Sequence, residues 1–381
     1  MSSFKRNAIK YFKSYAMIAS LIIISLVFQF ASEGRLMSVS GLSNLFRQAS
    51  VVGILSIGMT FCLIAKKFDL SVGAVTAFLG ALAAYLVTNT GLNSVAAIGI
   101  TLLAGALIGT WNGLLIAYAK VPAFIVSLGS GLIFMSALAI VTQGVAIPVN
   151  DSFFTMLGQS YLPSYAGVMF CAALLGLYII LDAKSKAAYR KIFPERTIPF
   201  FKQLVRYAVI AFSLGLFCFI MNLYKGIPTP VFLLLSLAAI SSFVLLKTRF
   251  ARKLYAVGGN PYAAELSGIN NASVTLVAFA IMGLLAGAAG ILSTAQFAQA
   301  TPRLTISREL DALASSIVGG VSLAGGRGNV ANAMIGAFVL VSFTNGMSIL
   351  NIDDNFQFII KGLILILAVW FDIRMRSAQN R

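Results

Sequence analysis

Long apolar runs dominate this sequence of 381 residues. Each extends for about 18–24 residues, the length that an α-helix needs to cross the hydrocarbon core of a bilayer. The strands of a transmembrane barrel would instead appear as segments of roughly ten residues with alternating polarity. With 59% hydrophobic residues, 10% charged residues and a mean hydropathy of +0.92, the chain cannot cover itself with polar surface in water. The sequence therefore predicts an all-α polytopic membrane protein with one transmembrane domain over residues 1–381.

The apolar runs predict about twelve membrane-spanning helices. They lie near 15–32, 45–65, 71–89, 96–118, 122–142, 165–183, 207–224, 229–247, 274–297, 309–323, 330–350 and 356–373. The run at 309–323 is short and rich in serine and glycine, which is typical of a half-span or broken helix buried in protein. An Asn-Gly step occurs in both 109–116 and 343–350, in spans of opposite direction, and indicates a possible inverted repeat of spans two to five and nine to twelve.

The distribution of positive charge orients these spans. If the N-terminus lies in the cytoplasm, 22 of the 28 lysines and arginines fall in cytoplasmic segments, and the C-terminus is cytoplasmic too. The net charge of +17 sits at span ends, so nucleic acid is not an expected partner. Residues 184–206 form a basic cytoplasmic loop, which we expect to be either a membrane-surface helix on anionic lipids or a solvated tether.

Catalytic and metal-binding chemistry is not indicated. The chain has no histidine, and its three cysteines, Cys62, Cys171 and Cys218, lie in apolar runs without paired spacing. The glycine cluster at 325–329 lacks the lysine of a phosphate-binding loop, so no enzyme activity, cofactor or metal is expected. Each of the 11 acidic residues falls in a loop or near a span end, which argues against a proton-coupled carrier, although bent spans could move Asp69 or Asp311 inward.

A short polar stretch, YAVGGNPYAAELSGIN at 255–270, interrupts the apolar pattern. Gly258 and Gly259 predict a sharp turn, Asn260 an N-cap, and Gly268 a helix stop. The resulting helix at 261–267 is too short to be stable by itself. Either a groove of a partner protein or an interfacial position between two spans would hold it.

This stretch resembles the coupling-helix motif of bacterial ABC-type sugar permeases of the ribose, galactose and xylose group. Further similarities are FDLSVG (68–73), GTWNGLLIAYAKVPAFIVSLG (109–129), GIPTPV (226–231), ELDALASSIVGGVSLAGGRG (309–328), NGMSIL (345–350) and KGLILILAVW (361–370). GQSYLPS (158–164) and an additional pair of spans beyond the ten of the family core are similar to the longer, xylose-type members. Where the family usually has a carboxylate before the aspartate of DLSVG, this chain has Lys67 and Phe68 before Asp69.

The resemblance implies the permease subunit of an ATP-driven importer in the bacterial plasma (inner) membrane, multi-pass and surrounded by lipid. Its partners would be a second permease copy, a cytoplasmic ABC ATPase and an extracytoplasmic sugar-binding protein, and its cargo a pentose such as xylose or a related monosaccharide. A nucleoside or signalling-sugar importer of the same family, or an ion-coupled secondary sugar carrier, stays open as an alternative. The implied ATPase-coupling residues are Asn260, Pro261, Tyr262, Ala263, Ala264, Glu265, Leu266, Ser267 and Gly268.

Two further groups of residues are candidates for contacts with sugar or with a binding protein. Polar or amphipathic residues within apolar segments, which could line a sugar path or instead join helices, are Trp111, Asn112, Gln296, Thr344 and Asn345. Cations on the sparsely charged outer face, which could dock a binding protein or simply be solvated, are Arg303, Arg308, Arg35 and Arg47.

Overall fold

The computed structural model describes residues 19–192, 200–302 and 308–379, and most of these residues are helical. The helices in chain order are α1 (Ala19–Ala31), α2 (Val39–Ile64), α3 (Val72–Thr88), α4 (Ser94–Ala117), α5 (Ala123–Thr142), α6 (Ser152–Gln159), α7 (Ser164–Ile192), α8 (Phe200–Asn222), α9 (Thr229–Lys247), α10 (Arg249–Gly259), α11 (Pro261–Leu266), α12 (Asn271–Phe297), α13 (Arg308–Val318), α14 (Val330–Ile349) and α15 (Asp354–Gln379). Two short strands, β1 (Ile147–Pro148) and β2 (Gln299–Ala300), pair antiparallel.

Each of the twelve predicted spans coincides with a helix. Among the described residues, eight helices are long and apolar enough to cross a membrane: α2, α4, α5, α7, α8, α9, α12 and α14. The run expected to be a short span forms α13, which has 11 residues. At about 1.5 Å per residue it covers only about half of the hydrocarbon core. The prediction of an all-α polytopic membrane protein is confirmed.

Helices α2 and α12 form the centre of the bundle. In their most apolar segments, 89% and 67% of the residues are buried inside the protein, whereas the corresponding share is 28% or less in α4, α5, α7 and α8. A helix that is apolar on all sides belongs either inside a protein or against lipid. The burial therefore separates these helices into a protein-enclosed pair and a lipid-facing ring.

Glycines allow α4 to pack closely on α12. Gly105, Gly109 and Gly113 recur every four residues and therefore share one face of α4. A methyl group at Gly109 would overlap the carbonyl oxygen of Phe279 and lie 3.0 Å from the Cα atom of Gly283. Small residues at this spacing let two membrane helices approach until their backbones touch.

The additional pair, α7 and α8, lies at the edge of the bundle, because only 11% of each membrane-spanning segment is buried. In the segment predicted as a basic cytoplasmic loop, 184–206, α7 continues to Ile192 and α8 begins at Phe200, while 193–199 lie outside the described residues. Its cytoplasmic position stays a prediction. The two extensions are held together by polar contacts. Asp182 of α7 accepts a 2.7 Å hydrogen bond from the hydroxyl of Tyr207 in α8 and pairs with Arg206 of α8 at 3.6 Å.

A carboxylate organises the opposite, outer end of the bundle. Asp151 is the N-cap of α6: its Oδ1 atom accepts hydrogen bonds from the Phe154 amide at 2.7 Å and from the Ser94 hydroxyl at 2.6 Å. These hydrogen bonds, that from Ser94 first, lower the pKa of Asp151 below its ordinary value. Asp151 therefore joins the start of α4 to the short outer helix α6.

Candidate functional site

The 255–270 stretch contains the second half of α10 and all of α11, at the cytoplasmic end assigned by the charge distribution. The side chain of Asn260 caps α11 by accepting a 3.0 Å hydrogen bond from the amide of Ala263, and Pro261 occupies the first turn. Gly268 has a φ of +76°, which favours glycine, and its amide donates to the carbonyl of Glu265. The short capped helix predicted at 261–267 is present and ends one residue earlier, at Leu266.

The prediction that Gly258 and Gly259 make a sharp turn is wrong. Both residues lie in α10, and the chain turns at Asn260, whose φ is −152°. Gly258 instead permits a close approach, because a methyl group there would overlap the carbonyl oxygen of Ile64 and lie 2.6 Å from the amide nitrogen of Gly326. Gly259 faces open space.

A three-way junction forms around Gly258 between α10, the end of α2 and the loop at 319–329. The amide of Gly326 donates to the carbonyl of Ile64 at 2.9 Å. The hydroxyl of Tyr255 donates to the carbonyl of Gly328 at 2.7 Å, and burial raises the pKa of Tyr255. A backbone hydrogen bond thus joins this loop to the end of α2, and the half-buried phenol of Tyr255 joins it to α10.

Helix α11 rests on this base and presents its large side chains to the solvent. Ala264 is buried, and the side-chain amide of Asn271 donates to the carbonyl of Pro261 at 2.9 Å. Tyr262 is 72% exposed and Leu266 is 73% exposed. An aromatic and an aliphatic side chain projecting together from a helix outside the membrane are the kind of anchors that fill a groove on another protein.

Three of the five candidate sugar-path residues lie outside the polar cavity that the other two line. Trp111 is 56% exposed on the surface of α4. Asn112 is buried and joins three segments, donating to the Ser71 hydroxyl at 3.2 Å and accepting from the Ser130 hydroxyl at 2.5 Å. Asn345 is buried within α14.

The other two candidates, Gln296 and Thr344, line one polar cavity at the outer end of the bundle, together with Arg47 and Arg308. This cavity has a volume of about 540 Å³. Arg35 is exposed elsewhere on the outer side, and Arg303 lies outside the described residues. The structure therefore brings two expected docking cations into the same cavity as two expected sugar-path residues.

Sequence reasoning missed an ion pair in this cavity. Asp311, near the start of α13, is 94% buried, and the Lys361 ammonium lies 3.1 Å from its Oδ1 atom and 3.3 Å from its Oδ2 atom. Asp69 and Asp311, the two acidic residues that bent spans were expected to be able to move inward, are both buried, but the pairing of Asp311 with Lys361 was not predicted. Lys361 was the sequence signal that could have revealed this pair, since it is a single charge inside an apolar run. Charged residues within membrane spans almost always pair with another group and mark functional sites.

These features define a class: a multi-pass helical membrane protein with a polar cavity in its outer half and a small helix exposed at its cytoplasmic end. The profile of the family described as "Branched-chain amino acid transport system / permease component" matches residues 41–369, and the chain belongs to this family. It is therefore a transport permease and not a catalytic subunit.

Similar proteins in this family carry sugar permease names. The xylose transport system permease protein XylH of Escherichia coli strain K12 is 39% identical over 94% of this chain and 91% of its own length. The protein of the same name from Haemophilus influenzae is 38% identical over 94% of this chain and 95% of its own length. The ribose import permease protein RbsC of E. coli strain K12 is 30% identical over 94% and 92%. No solved structure matches the chain.

Proposed function

We propose that this permease carries xylose or a related pentose across the bacterial plasma membrane as the membrane subunit of an ATP-driven ABC importer. Its relatives are named for two pentoses, and identity to the xylose permeases, at 38–39%, exceeds the 30% to the ribose permease. The additional helix pair α7–α8 supports the xylose type, because the longer members of the group resemble this chain in that region.

The observation that carries the ATP-driven mechanism is the exposed pair on α11, Tyr262 and Leu266. The helix is capped at both ends and supported from beneath, so it is rigid enough to transmit force although it has only six residues. A cytoplasmic ATPase whose groove encloses these two side chains would move α11 when it closes on ATP. Residues 260–268 would then be the coupling site, and the junction at Gly258 would pass the motion into α2 and the loop at 319–329.

The proposed outer partner is a sugar-binding protein that delivers the pentose, and a second copy of the permease completes the importer. Arg35 is exposed and remains a candidate for docking acidic groups of the binding protein. The guanidinium of Arg47 is already engaged, donating to the Gly158 carbonyl at 3.0 Å and lying 6.0 Å from the centroid of the Tyr161 ring. Docking by Arg47 is therefore less favoured than a structural role at the cavity wall.

An ion-coupled carrier is the competing mechanism, and the buried carboxyl of Asp311 is the observation that favours it. The neighbouring ammonium of Lys361 compensates that charge without an external cation or proton. Reconstitution separates the two mechanisms: we expect xylose uptake into vesicles to require ATP, the ATPase and the binding protein. Uptake by the permease alone, driven by a proton or sodium gradient, would contradict this proposal.

A double variant tests the coupling site in the same complex. Tyr262→Ala with Leu266→Ala removes two side chains that are more than 70% exposed, so the permease should remain as stable as the wild type. We expect xylose-stimulated ATP hydrolysis and uptake to be lost. The matched control is Tyr165→Ala, since Tyr165 is equally exposed, at 72%, but lies at the start of α7 on the outer side. Full stimulation in the double variant would rule out this role of α11.

A further inference from the structure

The polar cavity between α2, α12, α13, α14 and α15 has the composition of a binding site. Its lining residues are Asn44, Arg47, Gln48, Val51, Val52, Gln296, Phe297, Arg308, Asp311, Leu340, Val341, Thr344, Ser348, Asp354, Gln357, Phe358 and Lys361. The volume of about 540 Å³ falls within the range of about 300–1,000 Å³ typical of small-molecule sites. The lining combines four side-chain amides, two hydroxyls, two aromatic rings and several charges. Such a set can bind a small polar molecule on several sides.

The cavity opens outward and is closed towards the cytoplasm. Asn44, Gln48 and Ser348 are exposed at the mouth, near the outer ends of their helices, whereas Asp311 is buried at the inner end. One turn further along α13, the hydroxyls of Ser315 and Ser56 form a 2.5 Å hydrogen bond between buried residues. The contact of α13 with α2 therefore forms the floor of the cavity.

The buried carboxylate at this floor has an unused acceptor. The ammonium of Lys361 donates to Oδ2 of Asp311 at 3.3 Å, and its contact of 3.1 Å with Oδ1 does not have hydrogen-bond geometry. Within the described parts of the chain, Oδ1 receives no hydrogen bond although it is buried. Buried acceptors almost always have a donor, so an orphaned one next to a polar cavity points to a ligand that supplies it.

The surrounding groups favour a neutral polyhydroxyl ligand over an anion. Sugar hydroxyls donate and accept hydrogen bonds, and the amides of Asn44, Gln48 and Gln357 can meet both needs. Lys361 pairs with Asp311 and Arg47 donates to the Gly158 carbonyl, so two of the three lining cations are engaged. The third, Arg308, shares the lining with the carboxylate of Asp354. The ring of Phe358 is 45% exposed at the cavity and offers an apolar surface to the face of a sugar ring.

We propose that this cavity binds the monosaccharide in transit, and that Oδ1 of Asp311 accepts a hydrogen bond from a sugar hydroxyl while Lys361 holds the carboxylate in place. The assignment rests on the proposed function and adds a defined sugar site to it. The ion pair is then a positioning device, because the ammonium orients the carboxylate while it donates a hydrogen bond only to Oδ2. Closure of α13 against α2 would keep the sugar in the outer half until the importer switches.

Protection of an introduced thiol tests the proposal in the complete transporter in nanodiscs. Thr344→Cys places a thiol in the cavity, and Thr344 donates its own hydroxyl only to the Leu340 carbonyl of its helix, at 3.0 Å. The native cysteines are buried and give a low background with a small, membrane-impermeant thiol reagent. We expect D-xylose to slow labelling of Thr344→Cys, and not to slow labelling of the matched control Tyr165→Cys on the outer surface. Sodium sulfate should give no protection, and protection by sulfate as strong as by xylose would overturn the assignment to a neutral sugar.

A second variant isolates the carboxylate. Adding Asp311→Asn to Thr344→Cys should weaken protection by xylose about tenfold, because a neutral amide oxygen replaces the charged acceptor of the sugar hydroxyl. If the unpaired Lys361 unfolds that variant, Asp311→Asn combined with Lys361→Gln removes both charges and serves the same purpose. Unchanged protection in a folded variant would overturn the role of Asp311. If the wild-type transporter takes up xylose but xylose gives no protection of Thr344→Cys, the cavity assignment is overturned and the proposed function stands. If the wild-type transporter takes up no xylose, the proposed function itself is contradicted.

Discussion

Two adjacent glycines in α10 provide a matched test of the cytoplasmic junction. Gly258 and Gly259 have the same helical environment, but only Gly258 faces the end of α2 and the loop at 319–329. A methyl group at Gly258 would overlap the Ile64 carbonyl oxygen and lie 2.6 Å from the Gly326 amide nitrogen, whereas real Cβ atoms essentially never approach within 3.0 Å. Both obstacles are backbone atoms, so no side chain can rotate away. Gly258→Ala must therefore displace α10 from the end of α2 and from the loop at 319–329.

The expected cost of Gly258→Ala follows from these contacts. Overpacking of a tight site costs about 1–3 kcal/mol. Moving α10 also stretches the 2.7 Å hydrogen bond from Tyr255 to the Gly328 carbonyl, and losing a partly buried bond adds about 1–3 kcal/mol. Together these give a loss of about 2–6 kcal/mol in the free energy of unfolding. Gly259→Ala meets no atom within 4 Å and should be neutral or gain up to about 1 kcal/mol from helix propensity.

Two measurements test the close approach at Gly258. Thermal unfolding of the purified permease should show a lower midpoint for Gly258→Ala and an unchanged or higher midpoint for Gly259→Ala. Xylose-stimulated ATP hydrolysis in the proposed complex should fall in the first variant and persist in the second, because only the first moves α10 relative to α2. Equal stability and equal stimulation of the two variants would refute the close approach at Gly258 and the junction built on it.

Two further predictions address the rest of the bundle. Gly109→Ala should reduce the free energy of unfolding by about 1–3 kcal/mol, seen as a lower unfolding midpoint, because its methyl group meets the α12 backbone. Gly99→Ala on the same helix should leave the midpoint unchanged, since that position faces open space. Asp151 has a lowered folded-state pKa, so its ionised form stabilises the fold above the ordinary value of 3.8, and this contribution is lost as the pH falls through the lowered pKa. In unfolding scans from neutral to acidic pH, Asp151→Asn should therefore reduce the loss of stability on the acidic side, and an unchanged pH profile would contradict the role of this carboxylate.

The positions of the spans could be predicted from the sequence because the signal is local. A run of about twenty apolar residues is sufficient to mark a membrane helix, whatever its neighbours. The short helix α11 was equally accessible, since Asn260, Pro261 and Gly268 specify its beginning and end through their own backbone chemistry. In both cases the residues that determine the element lie within it or directly beside it.

The glycine pair and the cavity could not be predicted in this way, because their partners are distant in sequence. Gly258 looks like a turn residue until Ile64 and Gly326 are placed against it. Asp311 and Lys361 are 50 residues apart: Lys361 is conspicuous as a charge inside an apolar run, but nothing local identifies Asp311 as its partner. Only the packing of α13 against α15 turns them into a buried pair. Local sequence patterns therefore predicted the helices but not the contacts between residues that are distant in sequence.

Helix α13 connects the two ends of the proposed mechanism. Its outer end carries Asp311 at the floor of the cavity, and its inner end leads into the loop that Tyr255 and Gly258 hold against α10. A methyl group at Gly336 would overlap the Ser315 carbonyl oxygen, so α13 packs with its backbone against α14. A half-span held this tightly moves as a rigid body rather than bending, because packed helices have few intermediate arrangements. A push on α11 would therefore reach the sugar cavity through α10, the loop at 319–329 and about three turns of α13. For the floor to open, the hydrogen bonds that join Ser56 to Ser315 and to Ser316 must break.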